Sequence, residues 1–104
     1  MKKILLVEDE QIIQVLCRRL LGQMGFDLRV AGSVAEAGEA IKDYPPDLLI
    51  TDLRLPDGDG VEVIMLLKER AADAKVIIVT GSSSTSKIRL ALIAAPLCAQ
   101  GARW

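Results

Sequence analysis

The apolar residues of this chain fall into two alternating patterns. KILLVE (3–8), DLRVA (27–31), DLLITD (47–52) and KVIIVT (75–80) are short runs, most of them continuously apolar, which is the pattern of strands buried on both faces. Between them lie longer segments of helical period. QIIQVLCRRLLGQM (11–24) places Ile12, Val15, Leu16, Leu20 and Met24 at helical spacing, and Gly25 ends that helix. Ser33 is the cap of SVAEAGEAIKDY (33–44), with Glu36 three residues on in the capping-box position, and Pro45 and Pro46 forbid continuation. VEVIMLLKERA (61–71) predicts a third helix, with Val61, Ile64, Leu67 and Lys68 marking its inner and outer faces. SKIRLALIAA (86–95) predicts a fourth, stopped by Pro96. Strands of this kind alternating with amphipathic helices imply right-handed crossovers and a parallel sheet covered on both sides, a doubly wound α/β domain. The segment LRLPDGDG (53–60) reads as a loop, and APLCAQGARW (95–104) as an irregular tail.

Composition narrows the picture further. A chain of 104 residues is long enough for one core, and with one Phe, one Tyr and one Trp that core must be aliphatic. Thirteen basic residues against fourteen acidic ones give a net charge of −1, which supplies no electrostatic footprint for nucleic acid or for an anionic membrane. No stretch approaches the roughly 18 to 20 apolar residues that a membrane span needs. The start of the chain runs straight into a strand without a secretory h-region, so a reduced, cytoplasmic location is expected, with Cys17 and Cys98 as small apolar fillers. The chain contains no His, which removes a common general base and a common zinc ligand.

In a doubly wound sheet the site lies beyond the carboxyl ends of the central strands. There the first strand ends in Glu8 and Asp9, the third in Asp52 and the fourth in Thr80. Three converging carboxylates repel one another unless a cation binds among them, and a hard divalent ion such as magnesium suits an all-oxygen site of this kind. Magnesium commonly works beside a phosphoryl group, and a carboxylate can act as a nucleophile that forms an acyl phosphate. Asp52, at a strand end and before a Pro/Gly loop, has the best position for that attack, and Thr80 offers a hydroxyl to a phosphoryl oxygen. Singly, Glu8 and Asp9 read equally well as acids near a helix N-terminus. Asp57 and Asp59 lack the remaining ligands of a calcium loop and read as turn formers. Arg18, Arg19, Lys68, Glu69 and Arg70 read as solvated helix faces.

The acidic pair in VEDE, the stretch DLLITDLRLPDGDGVEV and the strand end VIIVTGSS together resemble the response-regulator receiver domain over residues 1 to about 95. The spacings, 43 residues from Asp9 to Asp52 and 28 from Asp52 to Thr80, are those of the family. The resemblance implies a flavodoxin-like sheet of strand order 2-1-3-4. It also implies that Asp52 is the phosphoacceptor, with magnesium held directly by Asp9 and Asp52, through water by Glu8, and by the main-chain carbonyl of Arg54. Thr80 is then the switch hydroxyl, and Pro56 and Gly60 shape the loop. The implied partner is a sensor histidine kinase or phosphotransfer protein, and the chain is expected to be a signalling protein with at most weak self-phosphatase activity.

The C-terminal end departs from the family pattern. A receiver domain carries a fifth strand ending in Lys about 22 residues after Thr80, where this chain has Ala102, and an aromatic residue where it has Ala99. The sequence thus predicts a receiver domain over 1–95 and an irregular tail over 96–104 in place of the fifth βα unit. It predicts either that residues 97–102 act as a substitute edge strand or that two copies pair through the exposed sheet edge. Two alternatives stand beside the phosphoacceptor. One is a degenerate receiver that binds partners without being phosphorylated. The other, weaker, is an aspartate-nucleophile phosphatase, which would need an acid two residues after Asp52, where Arg54 stands.

Overall fold

The computed structural model describes residues 2–79. The long apolar runs form strands β1 (Lys3–Val7), β2 (Asp27–Ala31) and β3 (Leu48–Asp52). A two-residue pair, β4 (Arg54–Leu55) and β5 (Gly58–Asp59), follows, and β6 (Lys75–Val79) completes the set. The helices are α1 (Gln11–Gln23), α2 (Val34–Asp43) and α3 (Gly60–Arg70). The four long strands pair in parallel in the order β2-β1-β3-β6. This is the expected doubly wound arrangement, with β6 as the fourth sheet strand because the loop after β3 contains the small antiparallel hairpin β4-β5. Among the described residues β6 is an edge, with Ile78 exposed. Thr80, Cys98, the expected helix over 86–95 and the tail with its expected substitute strand lie outside the described residues.

Parallel strands buried on both faces create two cores. On one side Ile4, Leu6, Leu48 and Ile50 meet Ile13, Cys17 and Leu21 of α1. On the other, Leu5, Val7 and Leu49 meet Ala37 and Ile41 of α2 and Val63 and Leu67 of α3. Residues of opposite parity along β1 and β3 serve opposite cores, as the strand period of two requires. The α1 face differs from the one expected. Ile13, Cys17 and Leu21 are buried, whereas Ile12, Val15 and Met24 are exposed. Both sets have helical spacing, and the sheet selects the row Ile13, Cys17 and Leu21. On α3 the inner positions are Val63 and Leu67, while Val61 is exposed.

The helix ends follow local chemistry. α1 stops in a Schellman arrangement: Gly25 takes φ +83°, its N–H donates to Gly22 O, and Phe26 N–H donates to Leu21 O. Ser33 caps α2 as expected, its hydroxyl oxygen accepting from Glu36 N–H at 3.1 Å. Ser33→Ala is expected to cost about 1 kcal/mol, the usual value for a lost N-cap, measured as a lower urea midpoint with unchanged slope.

At its other end α2 is held by Arg70 of α3, which donates to Lys42 O at 2.8 Å, a cation at the negative end of the helix dipole. Leu66 of α3 lies 3.5 Å from where a β-carbon on Gly38 would sit, so the two helices approach closely there.

Candidate functional site

The carboxyl ends of β1 and β3 are adjacent because these strands pair directly, Val7 opposite Thr51. The residues one step beyond, Glu8 and Asp52, therefore come together with Asp9. One carboxylate oxygen from each of the three lies within 4.8 Å of the others. Glu8 is 3% exposed and Asp52 5%, so two of the three acids are inside the protein while Asp9 reaches solvent. At that separation the mutual repulsion of two carboxylates is roughly 3 kcal/mol for an effective dielectric of about 20. A hard cation bound among the three reverses that term, and a set made only of oxygen donors suits magnesium or calcium rather than zinc. The donor set fits the ion that the sequence called for.

Backbone contacts hold Glu8 and Asp52 in place. Glu8 N–H donates to Ala31 O at 2.9 Å, continuing the β1-β2 ladder past its last strand residue, and Glu8 Oε2 accepts from Glu10 N–H at 3.1 Å. Asp52 Oδ1 faces Arg54 N–H at 3.4 Å. Leu53 N–H donates to Val79 O at 3.3 Å, so the residue after Asp52 is still tied to β6. Thr80, expected as the switch hydroxyl, follows Val79 and lies outside the described residues. Beneath the acids, Leu6, Ile13, Cys17 and Ile50 line a small apolar hollow that reaches Glu8 and Asp52. Burial, with the nearby Glu8 carboxylate adding to it, pushes the Cys17 thiol up to about 11. At neutral pH Cys17 is therefore an apolar filler, as expected, and not a second nucleophile.

The loop after Asp52 is more ordered than its sequence suggested. Arg54 pairs with Asp59 and Leu55 with Gly58. Gly60 N–H donates to Leu53 O at 2.9 Å. A β-carbon on Gly60 would lie 2.4 Å from Asp52 O and 3.2 Å from Thr51 Oγ1, so only glycine permits this approach. Asp59 and Asp57, expected as turn formers, have specific partners. Asp59 caps α3 by accepting from Glu62 N–H at 3.1 Å. Its signature, Asp59 followed three residues later by Glu62, is the one already used for Ser33 and Glu36, and could have been found the same way. Asp57 accepts from Val34 N–H at 2.7 Å and Ala35 N–H at 3.0 Å, at the start of α2. No local pattern announces that contact.

Those two donors, Val34 first and then Ala35, hold the Asp57 carboxyl below its ordinary value of 3.8. A carboxyl held lower in the folded than in the unfolded chain stabilises the fold above the unfolded value, and that contribution is lost as pH falls through the folded one. The tether is therefore complete at neutral pH and fails only in strong acid. In an NMR acid titration the Val34 and Ala35 amide protons should shift together with a midpoint below 3.8. A midpoint at or above that value would show that the carboxylate does not hold them.

Relatives carry the same arrangement of fold and sequence. Residues 4–95 match the family described as the response regulator receiver domain. The chain is 39% identical over 83 residues to the response regulator protein PilR of Pseudomonas aeruginosa, covering 80% of this chain and 19% of that protein. It is 35% identical over 80 residues to the photosynthetic apparatus regulatory protein RegA of Cereibacter sphaeroides, covering 77% of this chain and 44% of that protein. The chain thus spans less than half the length of these curated relatives. Among solved structures, the beryllofluoride-activated NtrC4 receiver domain dimer superposes with a TM-score of 0.72 at 33% identity, over 89% of this chain and 77% of that one. The non-phosphorylated HemR receiver domain from Leptospira biflexa gives 0.71 at 25% identity, over 91% and 76%. No helix among the described residues is long and apolar enough to cross a membrane. With its sheet order, its acidic cluster and these matches, the chain belongs to the response regulator receiver domain family, the phosphoacceptor modules of two-component signal transduction.

Proposed function

We propose that Asp52 is the residue that accepts the phosphoryl group, from a phosphohistidine on a sensor kinase or phosphotransfer protein of the cytoplasm. The observation that carries this reading is the convergence of Glu8, Asp9 and Asp52 within 4.8 Å at the end of the two central strands. Asp52 joins burial to a position beside the loop, so its oxygen is fixed in direction while the donor approaches from the solvent side. Attack forms a bond from an Asp52 carboxylate oxygen to phosphorus and breaks the phosphorus–nitrogen bond of the donor, whose imidazole leaves with a proton. The product is an acyl phosphate.

Magnesium would be held by the side chains of Asp9 and Asp52, by Glu8 through water, and by the Arg54 carbonyl. When bound, the ion neutralises charge on the phosphoryl oxygens and on the acids around it. The residues of the chain do the rest. Glu10 N–H fixes Glu8, the β3-β6 ladder fixes Asp52, and Arg54 stands in the β4-β5 hairpin with its N–H facing Asp52 Oδ1. Thr80, the residue after β6, is the hydroxyl that this reading assigns to the switch. Pairing of two copies along the β6 edge belongs to the same reading.

The test is incubation of the full chain with a small-molecule acyl or amido phosphate and magnesium, followed by intact mass. A gain of one phosphoryl group that hydroxylamine removes supports the reading. No gain at any magnesium concentration would favour a receiver that acts by binding alone.

A further inference from the structure

Asp57 spends both carboxylate oxygens on the first two N–H groups of α2, 23 and 22 residues away in sequence. Ser33 takes the third, Glu36 N–H, and the fourth, Ala37 N–H, donates to Ser33 O. The exposed donors that a helix N-terminus leaves unpaired are thus divided between the helix's own cap and a side chain of the loop that follows Asp52. That loop is the β4-β5 hairpin, only two residue pairs long, a size with little stability of its own. Asp57 sits at its tip, between Leu55 and Gly58, and the strand it joins contains Arg54. The anchor on the other side is itself fixed, because Arg70 of α3 holds the far end of α2 through Lys42 O.

We propose that Asp57 is a positioning residue for the acidic site: by tying the hairpin tip to α2 it holds the Arg54 carbonyl where the cluster of Glu8, Asp9 and Asp52 takes its fourth protein oxygen. The inference rests on the reading of that cluster as a magnesium site. Its physical basis is leverage. Arg54 N–H faces Asp52 Oδ1 at 3.4 Å, so rotation of the hairpin about β3 changes the distance between the Arg54 peptide and the acids. Apolar packing of Leu55 against the α2-α3 core resists part of that rotation, and the two charge-assisted hydrogen bonds of Asp57 resist the remainder. Asp57 touches neither phosphorus nor metal and acts only through Arg54.

The experiment is calorimetric titration of the unphosphorylated full chain with magnesium alone, for the wild type, Asp57→Ala, Asp57→Asn and Ser33→Ala. Asp57→Ala is expected to weaken magnesium binding about tenfold, the lower end of what loss of an outer-shell support costs a metal site. Asp57→Asn keeps one acceptor oxygen at the same place and should fall between Asp57→Ala and the wild type, which also serves if Asp57→Ala folds poorly. Ser33→Ala loosens the same end of α2 without touching the hairpin and should stay within about twofold of the wild type. Equal affinities for wild type and Asp57→Ala would overturn the proposal. So would an equal loss in Asp57→Ala and Ser33→Ala, because the effect would then belong to α2 in general. A wild type that binds no magnesium would instead remove the reading of the site and this inference with it.

Discussion

Asp52→Asn is expected to lose phosphorylation by a small-molecule donor by at least about a thousandfold, equivalent to about 4 kcal/mol of barrier, while keeping the fold. The amide that replaces the carboxylate has nearly the same size, and its oxygen can still accept from Arg54 N–H, so the end of β3 and its ladder to β6 should persist. What disappears is the nucleophile and one of the three charges that hold the cation. Magnesium binding should weaken by at least about tenfold in the same variant. Intact mass after incubation gives the first quantity and calorimetry the second, with circular dichroism as the check on folding. A variant that remains phosphorylated would move the acceptor to Glu8, Asp9 or a carboxylate of the loop.

Gly60→Ala should be the most damaging single methyl group in the described chain. The added β-carbon would stand 2.4 Å from the carbonyl oxygen of Asp52, far inside van der Waals contact, and 3.2 Å from both Thr51 Cγ2 and Thr51 Oγ1. The atom in the way is backbone of the central strand, so no side-chain rotation relieves the clash. Overpacking of this kind costs about 1–3 kcal/mol and occasionally more, and here the upper end is expected. The gain in helix propensity from Ala over Gly is at most about 1 kcal/mol in a helix interior and smaller at the first residue of α3, so it does not offset the clash. A loss of about 3 kcal/mol lowers the melting temperature of a domain this size by roughly 12–24 °C. Where the clash is relieved by displacing the end of β3, Asp52 shifts against Glu8, and the folded fraction should then also bind magnesium less well. A melting temperature within a few degrees of the wild type would show that the strand end yields at little cost.

The strands were legible because their physics is local. Ile4 to Val7 and Leu48 to Ile50 are continuous apolar runs, and every one of those residues is buried. The acidic site was legible for a related reason: once β1 and β3 are central and parallel, the topology alone brings the residues at their ends together. The inner face of α1 was not. Apolar residues surround most of that helix, so the row Ile12, Leu16, Leu20 and the row Ile13, Cys17, Leu21 have the same period. Packing on the sheet, which local sequence does not reveal, decides between them. The hairpin after Asp52 was hidden because four paired residues carry no periodic signal. Asp57 was hidden because its partners, Val34 and Ala35, lie at the start of α2, more than twenty residues away. Asp59 and Glu62, by contrast, carry a local capping signature, and Asp59 accepts from Glu62 N–H.

Phosphorylation at Asp52 is a chemical event with a single address. The most direct measurement is to phosphorylate the full chain with a small-molecule donor and magnesium, reduce the acyl phosphate with borohydride, and locate the modified residue by tandem mass spectrometry. Reduction converts a phosphorylated aspartate to homoserine and leaves unmodified carboxylates alone. The predicted result is homoserine at position 52 and nowhere else, and only when magnesium is present. Label at Glu8, Asp9, Asp57 or Asp59, or no label at any magnesium concentration, would contradict the account.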